Sequence, residues 1–177
     1  MRRIESDLAE EKNMPVSRSD LFNYLEKLGI STTTVEHPAV FTVAESDQLH
    51  RQLQGGHTKN LFLKDAKGRL YLVVAESHAK IDMKNFHKLI GAARLSFGKP
   101  DLLEETLGVT PGSVTAFSVL NDTEGRVSVI IDEQLLAFST VNCHPLINTA
   151  TTSIATGDLL TFMRSTGHEP SILSLSQ

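Results

Sequence analysis

The sequence predicts an α+β fold in which mostly antiparallel β-hairpins are separated by short helices. Three observations lead there. Residues 58–64 and 69–75 are two apolar runs joined by Asp65-Ala66-Lys67-Gly68, the pattern of a hairpin with both strands well buried. Helical spacing of apolar residues recurs only in short windows. Strands and helices show no regular βαβ alternation, and there is neither a Gly-x-Gly-x-x-Gly turn after a strand nor a Gly-Lys-Ser/Thr phosphate loop, so no nucleotide cofactor is indicated.

The elements follow in order. Residues 1–14 are polar, with Glu10-Glu11-Lys12, and read as an extension ahead of one domain over 15–177. Ser17 or Ser19 caps a helix carrying Leu21, Leu25 and Leu28, which Gly29 stops. Residues 31–36 are β-prone and end at His37-Pro38, where the proline ring forces extended geometry on its neighbour. Thr42-Val43-Ala44-Glu45 fits a capping box for a short helix to about Leu53. After the 58–75 hairpin, Asp82 is expected to cap a helix bearing Phe86, Leu89 and Ile90, and a helix over 101–107 ends at Gly108. Segments 113–120 and 126–132 read as a second hairpin about Asn121-Asp122. A strand from Thr151 to Ala155, a helix over 158–166 and a strand from Ile172 to Leu175 complete the chain.

At 177 residues and 40% hydrophobic content the chain can build the core of one domain. It has no apolar run near the roughly 18 residues a membrane span needs, and its start lacks the apolar middle of a signal peptide, so a cytoplasmic protein without membrane contact is expected. One cysteine, Cys143, excludes an internal disulfide and a multi-cysteine zinc site. His57, His144 and His168 are scattered without ligand spacing, so no metal is expected.

The net charge of −4 hides an asymmetry: residues 51–100 hold 10 Lys/Arg against 3 Asp/Glu. A local basic surface is the electrostatic footprint of a phosphate backbone, although such charges also pair with acidic segments elsewhere. Its members Lys64, Lys80, Lys84, Lys88 and Arg94 are the candidate contacts to a polyanionic substrate.

Lys59 is the most informative residue, because the period of two puts it on one strand face with Leu61 and Leu63. A lysine there either reaches to water or lines a pocket. The Gly55-Gly56 pair before it is expected to let backbone approach a ligand, and Asn60 adds an amide that donates and accepts. Gly108-Val109-Thr110-Pro111-Gly112 is a stiff loop with backbone groups to present, and Asn142-Cys143-His144-Pro145 sets an amide and an imidazole beside a rigid proline. Adjacent residues of an extended chain point apart, so Cys143 and His144 do not make a Cys–His dyad.

Taken in order, Gly56-His57-Thr58-Lys59-Asn60-Leu61-Phe62-Leu63-Lys64-Asp65, Arg94-Leu95-Ser96-Phe97, Gly108 to Val114 and Asn142-Cys143-His144-Pro145-Leu146 resemble the YbaK/ProX-type aminoacyl-tRNA deacylases, and most of all the ProXp-ala (PrdX) branch related to the editing domain of prolyl-tRNA synthetase. The similarity spans roughly residues 17 to 175. The resemblance implies a barrel-like mixed sheet with surrounding short helices. It also implies hydrolysis of a mischarged aminoacyl ester, alanine on proline tRNA in this branch, without a cofactor and with transient contact to prolyl-tRNA synthetase. Lys59 then corresponds to the essential lysine, Asn60 to its polar neighbour, and His144 to the pocket histidine. Gly56, His57, Thr58, Asn142 and Cys143 line the substrate site, and Gly108, Val109, Thr110, Pro111 and Gly112 form the loop beside the aminoacyl group. The resemblance implies the substrate's own ribose hydroxyl as the base, with a protein group as the alternative. Cys143 stands where the branch usually has phenylalanine, which opens the pocket, so a serine or cysteine deacylase and a non-catalytic tRNA- or synthetase-binding module are the alternatives.

Overall fold

The computed structural model describes residues 14–40 and 42–176; the expected polar extension over 1–14 lies almost entirely outside them. Eight strands form one mixed sheet: β1 (Thr32–Glu36), β2 (Gly56–Asp65), β3 (Leu70–Glu76), β4 (Leu95–Phe97), β5 (Val127–Asp132), β6 (Thr140–Cys143), β7 (Ala150–Ala155) and β8 (Ser171–Leu173). Their order is β1-β7-β6-β2-β3-β5-β8, with β4 paired to β2. The helices are α1 (Arg18–Lys27), α2 (Val43–Gln52), α3 (Phe86–Ile90), α4 (Pro100–Leu107) and α5 (Thr156–Ser165). This is the α+β architecture expected, and the expected hairpin forms as β2–β3, with Lys59 opposite Ala75.

The sheet is covered on both sides, which is why β3 reads as an unbroken apolar run: Leu70 to Ala75 are all buried. Leu70, Leu72 and Val74 face one cluster, packed under Leu21 and Leu25 of α1, Leu103 and Leu107 of α4, and Leu159, Phe162 and Met163 of α5. Tyr71, Val73 and Ala75 face the other, under Phe86, Ile81, Met83, Ile90 and Leu95. Ser17 caps α1 by accepting the Asp20 N–H while Asp20 accepts the Ser17 N–H. At the far end of α4, Gly108 sits at φ 68°, a left-handed C-cap that an L side chain resists.

Two expectations are corrected. The expected hairpin over 113–120 and 126–132 does not form: Pro111–Ser113 and Ala116–Asn121 are 3₁₀ turns, and β5 joins β3 in parallel. The Thr115 side chain accepts the Phe117 N–H to open the second turn, and buried Asp122 ends it by accepting the Arg126 and Val127 N–H groups and bonding His168 Nε2 at 2.8 Å. Asp82 does not cap α3; it accepts from the Lys84 N–H and the Asn85 amide, holding the turn before a helix that starts later. The glycine pair is required by protein packing. A Cβ on Gly55, at φ +99°, would meet the Thr140 carbonyl oxygen at 2.5 Å, and one on Gly56 would meet the Phe138 ring at 2.7 Å. Smaller shifts place the last helix at Thr156–Ser165 and the last strand at Ser171–Leu173.

The β2–β3 turn is fixed by Asp65, whose side chain is buried against the Lys67, Arg69 and Ala93 N–H groups and the Arg69 guanidinium. Burial alone would raise its pKa, but these donors outweigh burial and hold the carboxyl at about 2, against 3.8 when unperturbed. A lowered folded pKa means that its contribution to stability is complete above the unfolded value and is lost as pH falls from about 4 to about 2. Urea midpoints of wild type and Asp65→Asn should therefore differ clearly at pH 5 and converge as pH approaches 2. A gap that persists at pH 2 would assign the stabilisation to something other than the ionised carboxylate.

Candidate active site

The beginning of β2 pairs in parallel with β6, Gly56 against Val141 and His57 against Asn142. That short ladder brings together two sequence segments more than eighty residues apart. Their side chains line a cleft of ≈ 430 Å³ closed on its third side by α2, with His57, Thr58 and Lys59 from β2, Asn142, Cys143 and His144 from β6 and its end, and Leu49, His50 and Leu53 from α2 and its end. The size is that of a small-molecule site.

Lys59 is half-buried and its ammonium donates to the Ala79 carbonyl, so it neither reaches into bulk water nor points at random. Of its three N–H donors one is used and the other two have no partner among the described residues, and Lys59 itself is part of the cleft lining. His144 donates from Nδ1 to the Ala150 carbonyl at 3.1 Å, which leaves the lone pair on Nε2. Burial pushes its pKa below the ordinary value, so near neutral pH it is an uncharged acceptor. Two residues on, Leu146 holds φ 68°, a strained conformation for leucine that a nearly buried side chain keeps in place.

Asn142 is the clamp between the two walls. Its amide donates to the Gln54 and Gly56 carbonyls at 2.9 and 3.1 Å, its oxygen accepts from Ser153, and its backbone carbonyl accepts from Thr58. Cys143 is buried and its thiol lies 3.9 Å from the Thr58 hydroxyl. Burial drives its pKa up to about 12, so it is a small apolar wall and not a thiolate nucleophile.

Sequence reasoning misses His50. Its ring stacks on that of His57 with centroids 3.9 Å apart and planes 17° apart. His57 Nε2 bonds the Leu53 carbonyl at 3.1 Å, and burial lowers the pKa of both imidazoles, helped for His50 by the neighbouring His57. No short motif marks His50, since it is one polar residue in the last turn of a polar helix. Exposed His78 and half-buried Ser77 complete the rim. Among the described residues no cluster of His, Cys, Asp and Glu is fit to hold a metal ion.

The structure does not bring every candidate to the cleft. Asn60 lies one residue beyond the lining, its Oδ1 buried and without a partner. Gly108 packs against Asn121, Val109 is in the core, and the exposed end of that loop meets the chain after His144, where a Cβ on Gly112 would lie 3.4 Å from the Asn148 amide. None of Gly108, Val109, Thr110, Pro111 and Gly112 lines the cleft. Lys64, Lys80, Lys84, Lys88 and Arg94 are exposed.

Among the described residues no helix is long and apolar enough to cross a membrane. Residues 37–162 match the family model of the aminoacyl-tRNA editing domain. The chain is 40% identical over 159 residues to the Prolyl-tRNA synthetase associated domain-containing protein 1 of Danio rerio, covering 89% of this chain and 86% of that one. It is also 40% identical over 145 residues to the Prolyl-tRNA editing protein ProX of Acetoanaerobium sticklandii, covering 81% and 88%. In three dimensions it is similar to the crystal structure of a candidate trans-editing enzyme for prolyl tRNA synthetase, with a TM-score of 0.69 at 22% identity over 90% of this chain and 96% of that one. The chain therefore belongs to the aminoacyl-tRNA editing domain family, the YbaK/ProX-type deacylases that its motifs resemble.

Proposed function

We propose that this chain removes alanine from mischarged proline tRNA as a free-standing editing enzyme acting in trans to prolyl-tRNA synthetase. The observation that carries the reading is Lys59, which lines the cleft and whose ammonium, held by the Ala79 carbonyl, keeps two donors without a partner among the described residues. A synthetase pocket that fits proline rejects a smaller amino acid only weakly, whereas a second, smaller pocket can admit alanine and exclude proline.

The chemistry needs little from the protein. Water adds to the ester carbonyl carbon, the tetrahedral oxyanion collapses, the acyl C–O bond to the ribose breaks, and the proton lost by water ends on the ribose oxygen. Lys59 supplies positive charge and two donors for the oxyanion or the adjacent phosphate. His144 offers Nε2 as an acceptor that orients the water or the α-amino group. The neighbouring ribose hydroxyl serves as the proton relay that the family resemblance implies, taking the proton of water as it passes its own to the leaving ribose oxygen; the Cys143 thiol, held neutral by burial, is no nucleophile. Asn60 stands behind Lys59, and its unpartnered oxygen is available to a donor that enters with substrate or water.

The amino acid preference follows from the wall at Cys143. Wild type should release alanine from proline tRNA fastest, seryl and cysteinyl esters more slowly, and leave prolyl-tRNA intact. Cys143→Phe should narrow the site and lower serine and cysteine release relative to alanine by about 10-fold, the scale of one or two extra atoms in a pocket. Overpacking at so buried a position costs about 1–3 kcal/mol, so its urea midpoint is read alongside. Equal hydrolysis of prolyl- and alanyl-tRNA by wild type would overturn the small-pocket reading.

A further inference from the structure

β4 carries a feature that the cleft does not use. Phe97 is 64% exposed, more than any other described phenylalanine or tyrosine, and it enters no ring stack and no cation–π contact among the described residues. Exposed Phe138, by contrast, covers Gly56. β4 pairs only with β2, so its outer edge is open. The bonds from Gly98 N–H to the Phe62 carbonyl and from Ala66 N–H to the Arg94 carbonyl bracket the Lys64–Ser96 pair, which turns the backbone N–H and C=O of Leu95 and Phe97 outward.

The charge around this edge is unbalanced. Every described arginine outside the basic window is paired: Arg18 with Glu36, Arg126 with Glu105, Arg164 with Glu169. Among the lysines and arginines of residues 51–100 only Arg69 holds a carboxylate, that of Asp65. Lys64 on β2 and Arg94 and Lys99 at the two ends of β4 are exposed and have no ion partner among the described residues; the period of two puts Lys64 and Arg94 on the face opposite Phe97, so unpaired cations border the open edge from behind the ring. An open aromatic face among unpaired cations is the arrangement that holds single-stranded nucleic acid, the ring taking a base and the cations the phosphates.

Position fixes which part of the nucleic acid. Phe97 is opposite Leu63, and Leu63 is four residues along β2 from Lys59 on the same strand face. That is about 13 Å of strand, the length of about four stacked nucleotides at ~3.4 Å each. A tRNA whose terminal ester sits at Lys59 thus has its unpaired 3′ end within reach of the β4 edge.

We propose that Phe97 is a stacking platform for an unpaired base near the 3′ end of the tRNA, with Lys64, Arg94 and Lys99 on the flanking phosphates; this rests on the deacylase reading above. The chain has no tryptophan, so Phe97→Trp places a single fluorophore at the platform. Its emission should be quenched by an RNA minihelix with an unpaired 3′ tail and not by the same helix trimmed blunt. Phe97→Ala should weaken binding of the tailed RNA by about 10-fold while Phe97→Trp retains it. Equal quenching by both RNAs, no quenching, or unchanged affinity of Phe97→Ala overturns the platform. Quenching by prolyl-tRNA synthetase alone would assign the edge to a protein partner and overturn it too. These readouts are binding, so a wild type that binds tailed RNA at Phe97 yet releases no alanine would sink the deacylase reading and leave the platform standing.

Discussion

Lys59→Met should lower the single-turnover release of labelled alanine from proline tRNA by about 10²-fold or more, the scale of losing one donor to a developing oxyanion. Methionine keeps most of the apolar stem and removes the charge with all three donors, so packing and chemistry are separated. The fold should lose about 1.5–3 kcal/mol, since the carbonyl of buried Ala79 gives up its bond to a charged donor. Lys59→Arg should recover little, because the guanidinium is a planar fork that cannot take the place of a compact ammonium seated on one carbonyl. A urea midpoint that leaves Lys59→Met fully folded under the assay conditions, combined with lost turnover, would establish the electrostatic role. Near-normal turnover in Lys59→Met would take the ammonium out of the mechanism and leave the cleft in need of another cation.

Much of the fold is legible in the sequence because it is local. The β2–β3 hairpin, the Ser17 cap and the Gly108 stop each depend on residues within a few positions of one another. The 58–59 and 142–144 segments can be singled out one by one, but their meeting depends on β6, a four-residue strand too short to leave a period, and on a parallel ladder of two residue pairs. β4, of three residues, is hidden in the same way. The 116–121 segment misleads because its buried Ala116, Phe117 and Val119 satisfy a strand pattern as readily as a 3₁₀ turn; the Thr115 and Asp122 side-chain bonds decide between them. The glycine pair does mark a close approach, but which atoms approach, the Phe138 ring and the Thr140 carbonyl, is a tertiary fact.

The same distant pairing makes Asn142 the most vulnerable point of the site outside its chemistry. Asn142→Ala removes three side-chain hydrogen bonds from a residue only 3% exposed. It leaves the Gln54 and Gly56 carbonyls and the Ser153 hydroxyl without that partner, at about 1–3 kcal/mol for each group that stays dry. A loss of about 3 kcal/mol in total is expected, or a fall in Tm of roughly 6–12 °C for a domain of this size. Ser153→Ala, which breaks one of the three bonds, should cost about 1 kcal/mol. Turnover should fall with Asn142→Ala even at temperatures where it is folded. Gln54 and Gly56 immediately precede His57, Thr58 and Lys59, so releasing them frees one wall of the cleft from the other, and small misplacements of a positioning wall cost rate steeply. Asn142→Asp should be no rescue, since a carboxylate cannot donate to either carbonyl. If Asn142→Ala keeps the wild-type midpoint and rate, the two walls are held by the Gly56–Val141 and His57–Asn142 pairing alone, and the asparagine of this motif must then be sought among the groups that touch substrate.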